Sequence, residues 1–273
     1  MQRRTTTLFL LLLLLLPLPA ALSAGARRGA ATPADVRLYL LPVVRAQYDA
    51  PPLDMVPFLA SGEILYEVQH SSGSQARHQT QRAGNTFFHT KGNEIAAEWE
   101  ELWFTADTIY RGTDTSPGSA QYYTLRDPGQ YGSAWAPRFW RVGDLYERNP
   151  QVTFYRKSDC GVVLNGTQRS WLRFEAYYPA YTFQSDITLP QVIELAWLLS
   201  PDGEPVERYF YAAGYGLVGW SSSSAGFSYI SEIHAPGARP DNNRETIACL
   251  DRAAAPAQLH VDPLPFWPGN HRR

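Results

Sequence analysis

Residues 192–221 read VIELAWLLSPDGEPVERYFYAAGYGLVGWS, and this stretch decides the fold. Its three apolar runs are rich in Val, Ile, Leu, Tyr, Phe and Trp, which suit a pleated, half-buried surface. The sequence SPDG at residues 200–203 separates the first two runs, and proline and glycine at these turn positions favour a tight reversal. Gly214 separates the second run from the third, since glycine adopts the positive φ of a short hairpin at little cost. The stretch therefore predicts three consecutive antiparallel strands.

Similar strand patterns are present on both sides of this stretch. They occupy residues 63–70, 85–90, 121–126, 139–142, 151–157 and 171–178. Residues 36–46 are also apolar, but Pro42 cannot donate to a ladder, so this segment is predicted to be an edge or kinked strand. Residues 71–82 are polar and rich in Ser and Gln, and we expect a mobile loop there. A second, irregular loop is predicted at residues 127–138, which contain two Gly and two Pro.

The segment at residues 93–113 permits two interpretations. Ile95, Trp99, Leu102 and Trp103 recur at helical spacing, which indicates an amphipathic helix. The same residues also read as a hairpin of two strands, at 99–104 and 108–111, joined by a turn. The hairpin is favoured because the surrounding chain is strand-like and the second half is β-branched and aromatic.

These patterns predict a mainly β protein. We expect a single antiparallel β-rich domain over residues 27–273, built as a sandwich or a strongly curved sheet with at most one or two short helices. The segments at residues 27–35 and 256–273 are predicted to be flexible, because they are small, basic or proline-rich. Aromatic residues make up 13% of the chain and charged residues only 18%, which favours a packed sheet over disorder.

The amino terminus has the order of a secretory signal peptide. Arg3 and Arg4 precede an apolar run at residues 8–16, and small residues follow at 24–26. The run is about half of the ~20 residues needed to span a bilayer, although an uncleaved anchor is the alternative. We therefore expect cleavage of residues 1–26, no integral membrane segment after cleavage, and a soluble product that is secreted or otherwise extracytoplasmic.

The two cysteines are predicted to form a disulfide. In an exported chain an even count favours pairing, and Cys160 and Cys249 allow only one pairing. Two free buried thiols are the alternative, because the sequence does not place the two backbones side by side.

The charge of the chain excludes nucleic acid as a partner. The predicted cleavage removes two of the 24 basic residues and none of the 26 acidic ones. The remaining 22 basic and 26 acidic residues give a formal charge of −4, which is too mild for an electrostatic nucleic-acid footprint.

The sequence gives no support for a metal site, a bound cofactor or a catalytic nucleophile. The six histidines lack the H-x-H and H-x-x-x-H spacings of metal sites, and no G-x-S-x-G, S-x-x-K or Walker pattern occurs. Gly214, Gly216 and Gly219 have the spacing of a dinucleotide-binding fingerprint, but strand residues rather than a helix follow Gly219, which favours hairpin glycines. No metal or cofactor is therefore expected. The one group of residues with catalytic potential is a cluster of carboxylates interleaved with tryptophans. A glycosidase uses two carboxyl groups on either side of the bond that it cleaves, so this cluster is a candidate for glycan hydrolysis. Its members are Glu98, Glu100, Glu101, Asp107 and Asp114. A solvated strand face explains the same residues.

An aromatic stretch at residues 122–140 is the best candidate for recognition. It combines flat rings with arginine donors in a Gly/Pro-rich loop, a composition that suits sugars or peptides. The candidate ligand-binding residues are Tyr122, Tyr131, Trp135 and Arg138. We expect Trp135 to be the more exposed and Trp140 the buried tryptophan of this stretch. Alternatively, the rings fold back and cover one open end of the core.

The sequence favours a non-catalytic, exported binding or cell-envelope-associated protein over an enzyme. Its expected partner is a glycan, a peptide or an apolar small molecule. Two alternatives remain: a carrier that holds an apolar ligand on a curved β-sheet, and a carboxylate-dependent glycan hydrolase.

Overall fold

The computed structural model describes residues 51–60, 64–92, 96–118, 120–235, 237–238, 243–250 and 262–263. The predicted signal peptide, the predicted flexible lead at 27–35 and the candidate strand at 36–46 lie outside these residues, as does nearly all of 256–273. The first half contains β1 Leu53–Asp54, α1 Val56–Leu59, β2 Tyr66–His70, β3 Gln75–Ala83, β4 Thr86–Lys91, β5 Ala96–Phe104, β6 Thr108–Asp114, β7 Gln121–Asp127, β8 Gln130–Tyr131, β9 Ser133–Pro137 and β10 Phe139–Trp140. The second half contains β11 Leu145–Arg148, β12 Gln151–Arg156, β13 Val162–Thr167, β14 Ser170–Thr182, β15 Thr188–Leu198, β16 Glu207–Ala212, β17 Gly216–Ser222, β18 Gly226–Ile233, β19 Asn243–Arg244 and β20 Asp262–Pro263.

Most of these strands form one large antiparallel sheet. Its backbone ladder runs in the order β13-β12-β7-β6-β5-β4-β3-β2-β18-β17-β16-β15-β14-β11. The short strands β8 and β9 pair with β7 and β6, while β19 and β20 add parallel to β5 and β13. Strands β1 and β10 form a separate pair, and α1 is a single turn. The predicted fold class, mainly β with few short helices, is confirmed.

The two ends of this ladder are brought together by the chain itself. Strand β11, at one end, continues directly into β12, and β13, at the other end, continues directly into β14. The two connections touch, because the backbone N–H of Gln168 donates to the carbonyl of Pro150 over 3.0 Å. We call residues 148–150 and 168–170 the seam. Because the two ends of the ladder meet at the seam, the sheet curves back on itself. This agrees with the strongly curved sheet, one of the two architectures predicted from the sequence.

The stretch at residues 192–221 forms the predicted meander. Strands β15, β16 and β17 pair antiparallel, with Val192 opposite Ala212 in the first pair. The turn at 200–203 is closed by the N–H of Gly203, which donates to the carbonyl of Ser200 over 3.1 Å. Gly214 has φ of +82°, the conformation that its place in the hairpin required.

The described part of the ambiguous segment, residues 96–113, forms the hairpin rather than the helix. Strands β5 and β6 pair antiparallel, with Trp103 opposite Tyr110. The N–H of Thr105 donates to the carbonyl of Thr108 over 2.8 Å and closes the turn.

The two predicted loops were wrong. Most of residues 71–82 belongs to β3, in which His78 and Thr80 are buried and only 9% and 1% exposed. Because these inward positions are polar, the strand lacks the alternating hydrophobic pattern that would reveal it. Residues 127–138 contain the whole of β8 and β9, and here the Gly and Pro content concealed two short strands.

The main hydrophobic cluster joins elements that are distant in sequence. Phe58 of α1 packs in the same cluster as Trp135 of β9, Trp140 of β10 and Ile193 of β15. Tyr211 of β16 belongs to this cluster as well, with its ring 6.0 Å from that of Trp135. Trp135 and Tyr211 also border the cavity described next, so the core fixes one of its walls.

Candidate ligand-binding cavity

Two adjoining cavities lie along the curved sheet. The first has a volume of about 120 Å³ and the second about 150 Å³, and Ser116 and Leu217 line both. An engineered cavity of roughly 150 Å³ in another protein accepts benzene, so each space can hold a ring-sized group. The first cavity is lined by charged and aromatic side chains from β5, β6, β9, β11 and β16, namely Glu100, Arg111, Asp114, Trp135, Arg148 and Glu207.

A buried ion cluster forms one wall of the first cavity. Glu100 of β5 is 7% exposed, and its two carboxylate oxygens contact Nζ of Lys91 and Nη2 of Arg111. The cluster arises because the inward positions of neighbouring strands β4, β5 and β6 all carry charged residues. Burial lowers the pKa of Lys91, and the nearby Arg111 lowers it further, although Asp114 opposes the shift. Buried charges of this kind are tolerated only when they are paired.

Asp114 extends this cluster and is held as a carboxylate. Its Oδ1 accepts hydrogen bonds from the backbone N–H and the hydroxyl of Ser116, over 2.7 and 2.6 Å. Its Oδ2 accepts one from the hydroxyl of Tyr123 over 2.7 Å. Burial works to raise the pKa of Asp114, but Lys91, Arg111 and the Ser116 hydrogen bonds outweigh it, so the pKa is lowered.

Glu207 is a second kind of carboxyl group in the same cavity. It lies on β16, is 3% exposed, and accepts a hydrogen bond from the hydroxyl of Tyr209. Burial raises its pKa by more than Tyr209 and the nearby cations lower it. The cavity therefore contains one carboxyl group whose pKa is raised, Glu207, and one whose pKa is lowered, Asp114.

Arg148 lies at the seam, and its guanidinium has no carboxylate partner within the described part of the chain. Its Nε is buried and has no hydrogen-bond partner there. The guanidinium lies 5.9 Å from the ring centroid of Trp135, and that of Arg111 lies 5.2 Å from the same ring. Burial, and then repulsion from Arg111, lowers the pKa of Arg148 to about 10. Gln168, across the seam, lines the same cavity, and its Nε2 is likewise buried without a hydrogen-bond partner.

A histidine pair borders the second cavity. Nδ1 of His78 and Nε2 of His89 are 3.0 Å apart, and His78 also lines the cavity. Burial lowers the pKa of His89 well below its usual value, and His78 and Lys91 lower it further. Among the described residues, no group of three or more potential metal-binding side chains comes together.

The structure does not bring the four predicted ligand-binding residues together. Tyr122 is fully buried, and its hydroxyl lies 2.9 Å from Sγ of Cys160. Arg138 is paired with Asp54, with 3.0 Å between Nη2 and Oδ2. Trp135 is only 1% exposed, so the expectation that it would be exposed was wrong. Its side chain belongs to the main cluster and the cavity wall, because Trp135 lies in β9, a paired strand that ends at Pro137, rather than in a loop.

The remaining predictions for the aromatic stretch concern Trp140 and Tyr131. Trp140 is 2% exposed, so its predicted burial is confirmed. Tyr131 is 42% exposed, and its ring is nearly parallel to that of Trp103, with centroids 5.8 Å apart. Its hydroxyl contacts Glu101 and lies 2.6 Å from that of Thr113. Of the four candidate ligand-binding residues, Tyr131 is thus the one that is exposed and stacks on another aromatic ring at the surface.

The predicted carboxylate cluster is divided between different surroundings. Glu100 and Asp114 line the first cavity, whereas Glu101 contacts Tyr131 and lines a separate space. Glu98 lies 3.9 Å from Nζ of Lys157, and Asp107 accepts a hydrogen bond within its own turn. Alternation along β5 separates neighbouring carboxylates, as it does on any strand.

The sequence reasoning missed Lys91, Arg111, Arg148 and Glu207 as cavity residues. A usable signal existed for Glu207, because the predicted meander register places it on the same face as Tyr209 and Tyr211. No comparable signal existed for Arg148, whose position depends on how the two ends of the sheet meet.

The predicted disulfide is present, and it joins Cys160 to Cys249 with 5.9 Å between their Cα atoms. Within the described ranges, no helix has the length and apolar character to cross a membrane. Comparison of the chain with protein-family models, with curated proteins and with solved structures gives no match.

Proposed function

We propose that this protein is an exported, non-catalytic binding protein that holds a small ligand in the two cavities along its curved sheet. The observation that supports this most directly is the unfilled space beside Arg148 and Gln168. Protein interiors are normally close-packed, and their buried polar groups are normally hydrogen-bonded. A space that departs from both rules is a reasonable place for a ligand.

The two cavities suit a ligand with two chemically different parts. The first is bordered by charged groups, whereas the second includes Val68, Ala76 and Trp220 in its lining. A ligand that reaches from one into the other would bury an apolar group and present a polar one. This extends the carrier hypothesis, in which the ligand was expected to be apolar throughout.

Export is supported by two independent observations. The amino-terminal sequence has the order of a signal peptide, and the Cys160–Cys249 disulfide suits an oxidising compartment. Intact-mass analysis of the extracytoplasmic fraction should show a chain that begins between residues 24 and 27. A chain that retains residues 1–16 in that fraction would contradict export by cleavage.

Native mass spectrometry of protein purified from its own host tests ligand binding. We expect an additional mass of a small molecule that is released on denaturation. Leu217→Trp should abolish this mass, because Leu217 lines both cavities and the larger ring would fill them. Leu145→Trp is a matched control, since Leu145 is 40% exposed on β11. Retention of the mass by a folded Leu217→Trp protein would contradict binding in these cavities.

A second candidate is the carboxylate-dependent glycan hydrolase. The observation that favours it is the pair of opposite pKa shifts, since Glu207 is raised and Asp114 is lowered within one cavity. The hydrogen bonds from Ser116 and Tyr123 already occupy both oxygens of Asp114, which counts against its acting as a base. Hydrolysis of a glycan panel that is abolished by both Glu207→Gln and Asp114→Asn would favour this candidate over simple binding.

A further inference from the structure

We propose that the seam is a carboxylate-binding site, in which Arg148 and Gln168 hold the acid group of a small apolar monocarboxylic acid. This inference rests on the proposed ligand-binding function and adds the chemical class of the ligand. It assigns the acid group to the first cavity and the apolar group to the second.

The donors are the first step of the argument. Nε of Arg148 and Nε2 of Gln168 are both buried N–H groups without a hydrogen-bond partner in the described chain, and both residues line the first cavity. An unsatisfied buried donor costs about 1–3 kcal/mol, and more when the group is charged. A carboxylate accepts several hydrogen bonds and matches the planar geometry of a guanidinium, so it would satisfy both donors at once.

The positions of these donors are fixed by the fold. Arg148 is the last residue of β11 and is directly opposite Ser170 in the β11–β14 pair. Gln168 lies in the connection between β13 and β14, where its backbone N–H donates to Pro150. The two side chains therefore project from the two connections that touch at the seam, and both connections are held by backbone hydrogen bonds.

The other cations at the cavities are already neutralised. Lys91 and Arg111 both contact Glu100, and Arg111 also lies 3.9 Å from Oδ2 of Asp114. Arg148 has no such partner among the described residues. A ligand with one negative charge would neutralise it, whereas a phosphate monoester carries about −1.5 to −2 and would leave negative charge buried. Charge complementarity therefore favours a ligand with one negative charge, and the planar match with the guanidinium favours a carboxylate among such ligands.

The second cavity defines the remainder of the ligand. It adjoins the first at Ser116 and Leu217, and its volume of about 150 Å³ suits a benzene-sized ring or a short alkyl chain. The indole of Trp220 and the side chains of Val68 and Ala76 would contact such a group. A compact aromatic or short aliphatic acid meets both requirements.

Calorimetric titration with benzoate and benzamide tests the inference. The two probes have nearly the same shape, but only benzoate is charged. We expect the wild-type protein to bind benzoate at least tenfold more tightly than benzamide, because hydrogen bonds to charged groups are the stronger ones. Arg148→Met should remove this preference by weakening benzoate binding about tenfold or more, with little effect on benzamide.

Arg156→Met is the control, because Arg156 lies outside the seam and its side chain is 52% exposed and paired with Asp159. It should bind both probes as the wild type does. Gln168→Leu provides an independent test if Arg148→Met fails to fold, and it should weaken benzoate binding selectively.

The possible failures are distinguishable. Equal binding of benzoate and benzamide by the wild type would overturn the carboxylate inference and leave the proposed ligand-binding function standing. The same holds if a folded Arg148→Met protein keeps its preference for benzoate. Absence of binding by either probe, together with no co-purifying small molecule, would overturn both proposals.

Discussion

Replacement of Trp135 by alanine measures how far the aromatic stretch belongs to the core. Trp135 is 1% exposed, contacts Tyr211 edge-on, and lies between about 5 and 6 Å from the guanidinium groups of Arg111 and Arg148. Truncation of a buried Trp to Ala costs about 3–5 kcal/mol in packing and transfer terms. Because one side of the ring borders a cavity, fewer packing contacts are lost, but two buried cation–π contacts are lost as well. We therefore expect a loss of about 3–5 kcal/mol in the free energy of unfolding.

Urea unfolding without reductant, followed by far-ultraviolet circular dichroism, gives this number. For a chain of this size about 1 kcal/mol shifts Tm by roughly 2–4 °C, so Trp135→Ala should melt about 6–20 °C below the wild type. Phe139→Ala is the matched control, because Phe139 is 51% exposed and should change stability by less than about 1 kcal/mol. A Trp135→Ala protein that loses less than about 1 kcal/mol would refute the assignment of this ring to the core.

Three further perturbations test other parts of the fold. Replacing Cys160 and Cys249 together by alanine should lower the free energy of unfolding by about 2–5 kcal/mol, since the disulfide spans 89 residues. Equal midpoints of urea unfolding for the wild type and the double variant would contradict this. His89 has a pKa far below its usual value of about 6.5 because it is buried. The free energy of unfolding should therefore not depend on His89 above about pH 6.5, and it should fall by up to about 1.4 kcal/mol per pH unit as the pH decreases below that value. A urea midpoint that stays constant from pH 7 to 5, or an identical slope in His89→Gln, would count against this titration. Gly132→Ala should lower the free energy of unfolding by at least about 1 kcal/mol, because Gly132 has φ of +81° and an added Cβ would lie about 2 Å from the Trp103 ring. Thermal melting measures this loss, and an unchanged Tm would contradict both the backbone strain and the steric conflict.

The parts of the fold that follow local rules were predictable from the sequence. The meander at residues 192–221 combines apolar runs with turn residues that permit only one kind of reversal, and the structure has its three strands. The hairpin of β5 and β6 was favoured over a helix for similar reasons, from its β-branched and aromatic content. The pairing of the two cysteines followed from their number and from the predicted export, and the disulfide is present.

The parts that depend on distant pairing were not predictable. Strand β3 was interpreted as a loop because residues 71–82 are polar and rich in Ser and Gln, and even its buried positions carry polar side chains such as His78 and Thr80. Trp135 was expected at the surface because its glycine and proline neighbours usually indicate a loop, but pairing of β9 with β6 places it in the core. The site depends on the same long-range geometry, since nothing local to Arg148 indicates that Gln168 lies across the seam.

The pairing of β2 with β18 has a consequence for the order of folding. Strands β2 to β6 form one meander of consecutive hairpins, and β14 to β18 form another. The joint between them connects residues such as Glu67 and His234, which are 167 positions apart, and the disulfide between Cys160 and Cys249 shortens this loop only in part. Closing so long a loop has an entropic cost that no hairpin within either meander incurs, so the joint should form after both meanders. Substitutions that weaken the β2–β18 pair should therefore mainly speed unfolding, whereas equally destabilising changes inside either meander should slow folding more.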